Sequence, residues 1–172
     1  MVTSTPPPSQ PEPWLRGAIP GVDPLLLPVF FSFTQVREDL ALHTAGLSPE
    51  CVWRQVGSLP PLGFQLRHMA GSVDRLTSYL MEEQLSPEQI AYMKQEASPG
   101  PGSDELLPVV DAALTNAEAR MATIDPATIH EPRYIGRKRL PTTVLGLLVH
   151  IAEHTQRHLG QAITTAKLVR EK

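Results

Sequence analysis

The sequence predicts an all-α fold, a bundle of four long helices. Apolar residues recur every three to four positions in four long segments, as they do along one face of a helix. Stretches rich in proline and glycine separate these segments, and residues 133–140 are only a weak candidate for a strand. Four long helices in 172 residues favour a four-helix bundle with one or two long crossover connections.

The first half of the chain contains two of these helices. Residues 24–45 have helical apolar spacing and precede Gly46, which suits the left-handed C-cap of a helix. Residues 63–83 form the second helix. The apolar seam of this second helix consists of Leu66, Met69, Val73, Leu76 and Leu80. Ser86 then begins a capping box with proline at the first helical position, which predicts a short helix.

The second half of the chain contains the other two long helices. The third begins near Ser103 or Asp104, either of which is a suitable N-cap. Residues 126–141 are predicted to be a long polar connection. Thr142 or Thr143 caps the fourth helix, which reaches the last residues of the chain.

The chain divides into a short arm and one domain. Residues 1–20 contain six prolines and predict an extended N-terminal arm, with Trp14 as its only large anchor on the body. Residues 21–172 are predicted to form a single helical domain.

Composition excludes several functional classes. The formal charge is −3, and nothing suggests the dense positive face that nucleic-acid binding needs. Neither a signal peptide nor an apolar run long enough to cross a membrane is recognisable, so no membrane association is expected. The single cysteine, Cys51, cannot form an internal disulfide, which fits a reducing cytoplasm.

Three histidines recur at four-residue spacing in the fourth helix. His150, His154 and His158 share one side of that helix with several apolar residues. A His-x-x-x-His pair places two imidazoles one turn apart, where both can reach one metal ion. A third ligand must come from another helix. Periodicity leaves His68 and His43 both open, because His68 lies at the edge of the apolar seam of the second helix.

Two segments resemble motifs of the DinB/YfiT-like superfamily, a group of helical metalloproteins. Residues 64–76, which include His68, resemble the second-helix motif of that family. Residues 150–161 resemble its last motif, a His-x-x-x-His followed by a small residue and glutamine. The resemblance implies a four-helix bundle with long crossovers and one divalent metal, Zn, Ni, Fe or Mn, on His68, His154 and His158. It also implies frequent homodimers, and relatives that use low-molecular-weight thiols such as bacillithiol or mycothiol.

These observations predict a metal-dependent enzyme. Three protein ligands leave a position for water or substrate, so the site could activate a thiol for S-transfer, or water for hydrolysis, against a small electrophilic molecule. His150 is the candidate for a proton-transfer or supporting role, whereas Glu153 lies well off the histidine side of the helix. The rival hypotheses are a non-catalytic metal-binding stress or scaffold protein, and a structural bundle with a histidine hydrogen-bond network.

A basic segment follows the third helix. Its charged members are Arg133, Arg137, Lys138 and Arg139. These side chains could hold an anionic substrate, but a solvated loop that offsets nearby acids is the favoured interpretation.

Overall fold

A computed structural model, which describes residues 10–170, confirms the all-α architecture. Four long helices form the bundle: α1 (Leu27–Thr44), α3 (Leu62–Leu80), α5 (Ser103–Met121) and α6 (Val144–Arg170). Two short helices lie in the connections, α2 (Pro49–Trp53) and α4 (Pro87–Gln95). The predicted long helices therefore all form, with ends that differ from the sequence prediction by a few residues.

Contacts between helices fix their order and direction. Helix α3 packs against both α5 and α6, and α6 packs against α1. Arg120 near the end of α5 pairs with Glu83 just beyond α3, so these two helices run parallel. Arg170 at the end of α6 donates to the carbonyl of Ala45 just beyond α1, so this second pair is also parallel. A parallel pair needs a long crossover, and α4 lies within the one that joins α3 to α5.

Side-chain caps begin three of the six α-helices of the described residues. Ser48 caps α2, and Ser86 forms the complete capping box with Gln89 at the start of α4. Thr143 Oγ1 accepts a hydrogen bond from the Gly146 amide in the first turn of α6, 3.0 Å away. Helix α5 begins at Ser103 as predicted, but the predicted N-cap was wrong, because the N-cap is Gly102 without a side-chain hydrogen bond.

The predicted long polar connection before α6 is instead a β-hairpin. Strand β1 (Pro132–Ile135) pairs antiparallel with β2 (Leu140–Thr143), after a short 3-10 turn at Pro126–Thr128. Gly136, with φ of 65°, allows the chain to turn back. The proline-rich polar sequence of this segment concealed the strands, which are only four residues each.

The N-terminal arm attaches through residues other than the predicted tryptophan. Pro6, Pro7 and Pro8 lie outside the described residues. Pro13 is buried, and Arg16 makes two hydrogen bonds to the carboxylate of Glu38 on α1, of 2.5 and 2.8 Å. Trp14 is 61% exposed, so it is not the anchor of the arm.

The core lies between the four long helices. Its largest fully buried side chains include Phe33 from α1, Leu66 and Met69 from α3, Leu114 from α5 and Ile151 from α6. Among the described helices, none combines the length and the apolar character needed to cross a membrane.

Candidate metal centre

The three predicted ligands lie close together where α3 packs against α6. His68 lies on α3, and His154 and His158 lie one turn apart on α6. One ring nitrogen from each of the three histidines can be chosen so that all three nitrogens lie within 4.8 Å of one another. The Nε2 atoms of His68 and His154 are 3.1 Å apart. Two nitrogens bound to one tetrahedral zinc ion at about 2.05 Å would be about 3.3 Å apart.

The histidines of α6 lie at the border of its buried face, which corrects the sequence prediction. The residues of α6 that are fully packed include Leu147, Ile151, Thr155, Leu159 and Ala162. His154 and His158 are half-buried, beside this stripe, whereas His150 is exposed. The two candidate ligands on α6 therefore face an opening at the edge of the core.

Two polar side chains hold the other ring nitrogens of two ligands. His158 Nδ1 lies 2.6 Å from Gln65 Oε1, and His68 Nδ1 lies 2.8 Å from Glu96 Oε2. Neither oxygen can donate a proton, since one is an amide carbonyl and the other a carboxylate oxygen. Both histidines therefore donate from Nδ1, which leaves the lone pair on Nε2 free for a metal ion.

Glu96 is the residue that sequence reasoning missed. It follows α4, is only 4% exposed, and also accepts a 2.6 Å hydrogen bond from Arg75 on α3. Gly71 makes this approach possible, because a Cβ there would lie 2.5 Å from Glu96 Oε1. Gln65 was missed as well, although its position three residues before His68 on α3 places both on neighbouring turns.

Burial keeps the two candidate ligands of α6, His154 and His158, neutral. The pKa of His154 and that of His158 both fall to about 4, chiefly because burial disfavours the charged imidazolium. The proximity of the His68 ring lowers both pKa values further, because two charged imidazoles at this distance would repel each other. At neutral pH these rings carry the free lone pairs that a metal ion needs.

Comparison with known proteins identifies the family. The model of the DinB superfamily matches residues 32–162, which is more than half of the chain and includes all three histidines. The chain belongs to the DinB superfamily. No curated protein sequence matches it significantly.

The donor set of this DinB chain fits a divalent transition metal. Neutral imidazole suits zinc, nickel, copper and iron, and three such donors could hold one ion. Partners on Nδ1 of a histidine are the usual support of a metal ligand, and Gln65 and Glu96 are such partners.

The remaining histidines of the DinB chain lie outside this group. His43 is half-buried near the end of α1, and His130 is exposed. His150 is one turn from His154, with ring centres 5.3 Å apart, and its Nδ1 lies 2.7 Å from Glu153 Oε1. The structure therefore groups His68, rather than His43, with the histidines of α6.

A cleft of about 410 Å³ lies along the C-terminal half of α6. Gln65, the partner of His158, is one of its lining residues, and Arg157 is another. Polar groups from Gln161 and Thr164 line the same cleft. Gln65 is therefore the link between this cleft and the histidine group, none of whose rings is part of the lining.

Two of the four basic residues that follow α5 make structural contacts. Arg133 Nε donates to the carbonyl of Leu80 at the end of α3, 2.8 Å away. Arg139 lies over the ring of Tyr134, 4.3 Å from its centre. The first contact joins the hairpin to α3, and the second lies within the hairpin.

Proposed function

We propose that this chain is a metal-dependent enzyme that activates a low-molecular-weight thiol, or water, for attack on a small electrophilic molecule. The observation that carries the proposal is the group formed by His68, His154 and His158, with two of the three Nδ1 atoms hydrogen-bonded to Gln65 and Glu96. Three histidine ligands leave at least one coordination position for a reactant, which is typical of catalytic rather than structural sites.

His68, His154 and His158 would hold the ion whose chemistry the reaction needs. Such an ion would lower the pKa of a bound thiol or water and would polarise a bound oxygen. We expect zinc, nickel, iron or manganese; imidazole nitrogen suits the first three, whereas manganese prefers oxygen ligands. The burial of His154 and His158 contributes by keeping both rings neutral at neutral pH, so that each ring has one nitrogen without a proton.

His150 is suited to accept the proton that the thiol or water releases. Its Nδ1 is hydrogen-bonded to Glu153, so the proton on this ring lies on Nδ1 and the lone pair on Nε2. The ring is exposed and next to His154, where it can reach a molecule in the opening. A histidine oriented by a carboxylate is a common general base.

The cleft beside Gln65 is suited to hold a part of the reactants that lies away from the metal ion. Gln65 links this cleft to His158, and Arg157, which lines the same cleft, is already paired with Glu153. We therefore expect a thiol or substrate that carries hydrogen-bonding groups.

We also propose that the protein forms a homodimer through the exposed side of α1 and α6. Leu25, just before α1, is 49% exposed, and Val149 on α6 is 58% exposed. Residues 25–31 are apolar almost without interruption, and a helix that is apolar all round needs cover on more than one side. Light scattering at micromolar concentration should give twice the chain mass. The variant Val149→Glu should shift the protein towards monomer, and a wild-type monomer would contradict the proposal.

Turnover measurements test the enzymatic proposal. Tag-free protein reconstituted with each of the four metals is assayed with a panel of thiols and electrophiles, and with electrophile alone for hydrolysis. His154→Ala should abolish turnover, whereas His43→Ala, outside the histidine group, should retain it. His150→Gln should lower kcat while metal affinity stays unchanged. Stoichiometric metal binding without turnover on any pair would favour the non-catalytic stress or scaffold function instead.

A further inference from the structure

Helix α4 is attached to the bundle by polar contacts and by the half-buried ring of Tyr92, which lies close to Gly71 of α3. None of its nine residues is fully buried. Gln89 Nε2 donates to Asp74 Oδ2 and to Ser78 Oγ on α3, at 2.8 and 2.9 Å. Polar contacts that are accessible to water stabilise weakly, so α4 belongs to the part of the fold that opens most easily.

The C-terminal end of α4 is the part that reaches the core. Arg67 of α3 donates to the carbonyls of Gln95 and Ser98, at 3.0 and 2.7 Å. Between these carbonyls the side chain of Glu96 enters the bundle, where it is 4% exposed and contacts both Arg75 and His68. One buried carboxylate thus joins α4 to a candidate metal ligand.

Glu96 selects which nitrogen of His68 carries the proton. Its carboxylate accepts a hydrogen bond only if the proton is on Nδ1, and that state leaves Nε2 free. Arg75 compensates the negative charge at 2.6 Å, which keeps Glu96 an acceptor within the buried site. In the alternative tautomer of His68, two lone pairs would face each other across the same 2.8 Å.

We propose that Glu96 is a positioning residue for the metal ligand His68, and that it couples metal binding to the docking of α4. This inference rests on the proposed metal site. Metal binding to Nε2 requires the tautomer that donates to Glu96, so the ion strengthens the contact that holds α4. Coupling between two equilibria is reciprocal, so the docked α4 also raises the affinity for metal.

Two pairs of variants test the affinity half of the proposal. Glu96→Gln removes the charge, and Glu88→Gln makes the same change on the exposed side of α4. Gly71→Ala displaces the carboxylate without changing any charge, because its Cβ would meet Glu96 Oε1 at 2.5 Å, and it would also crowd Arg75 Nη1 and Tyr92 Cδ1 at 2.7 and 2.9 Å. Gly160→Ala is the matched helical control, where a Cβ meets nothing within 4 Å.

Zinc affinity, measured by competition with a chelator, should fall about 10- to 100-fold in Glu96→Gln and in Gly71→Ala. Glu88→Gln and Gly160→Ala should stay within about twofold of the wild type. If circular dichroism shows that Glu96→Gln does not fold, the comparison of Gly71→Ala with Gly160→Ala tests the proposal by itself. Wild-type affinity in both Glu96→Gln and Gly71→Ala, or in whichever of them folds, would overturn the inference.

Two further measurements separate this inference from the proposed function. Zinc should slow amide hydrogen exchange in residues 87–98 of the wild type and not in folded Glu96→Gln. Equal slowing in both would overturn the coupling.

Nitrogen-15 NMR of metal-free protein should place the proton of His68 on Nδ1, and a proton on Nε2 would overturn the positioning role. A wild type that binds no metal, with that proton on Nδ1, would contradict the proposed function and the coupling while leaving the positioning role standing.

Discussion

His150 and His154 lie one turn apart on α6, yet their surroundings differ. The side chain of His150 is 46% exposed, and its hydrogen-bond partner is Glu153 on the same helix. His154 is half-buried and faces His68 from another helix, and burial lowers its pKa to about 4. Spacing along a helix therefore brings histidines to one side, while the neighbouring helix decides which of them can share an ion.

The largest expected effect follows from that difference. His154→Ala removes a nitrogen that faces His68, and only two ligands remain, so metal affinity should fall by at least about 100-fold. His150→Ala removes an exposed ring and should change affinity by less than about threefold. Isothermal titration with zinc and nickel measures both variants. Equal losses of affinity in the two variants would mean that His150 is also a ligand, and that its surroundings do not separate it from His154.

An intermediate effect is expected in the metal-free protein as the pH falls. Unfolded histidine titrates near 6.5, whereas folded His154 and His158 titrate near 4, so the unfolded chain binds more protons between these values. The free energy of unfolding should therefore decrease as the pH is lowered from about 6.5 towards 4. Urea unfolding of metal-free protein at several pH values measures this slope.

The matched control for the pH effect is the double variant His154→Gln, His158→Gln. It cannot bind these protons in either state, so its free energy of unfolding should depend less on pH over the same range. An identical slope in wild type and double variant would show that the two rings are not buried as neutral groups.

The smallest expected effect is at the start of the same helix. Thr143→Ala removes the oxygen that accepts from the Gly146 amide and should lower the free energy of unfolding by about 1 kcal/mol. Thr142→Ala, at the adjacent position, should cost less. Thermal or urea unfolding of the two variants ranks them, and the reverse order would place the cap at Thr142.

The helices could be predicted from sequence because their signals are local. The spacing of apolar residues predicted all four long helices, and the capping box of Ser86 with Gln89 predicted the start of α4. Residues 133–140 gave only a weak strand signal and the hairpin was not predicted, because its strands are short and Pro132 and Pro141 lie within them.

The candidate site was only partly predictable for a physical reason. His154 and His158 share one helix, so their spacing alone groups them. His68 comes from the edge of another helix, and the choice over His43 depended on resemblance to a family motif. Glu96 is 28 residues from His68 along the chain, and no local pattern signals a contact made only when α4 packs on α3.

Native mass spectrometry tests the central claim most directly. Tag-free wild-type protein is saturated with zinc, freed of excess ion and compared with His154→Ala, and with His43→Ala as the control. Convergence of three histidines on one point predicts one ion per chain in the wild type and in His43→Ala, and loss of that ion in His154→Ala. Wild-type protein that retains no ion, or a His154→Ala variant that retains it fully, would contradict the assignment of His68, His154 and His158 as a metal centre.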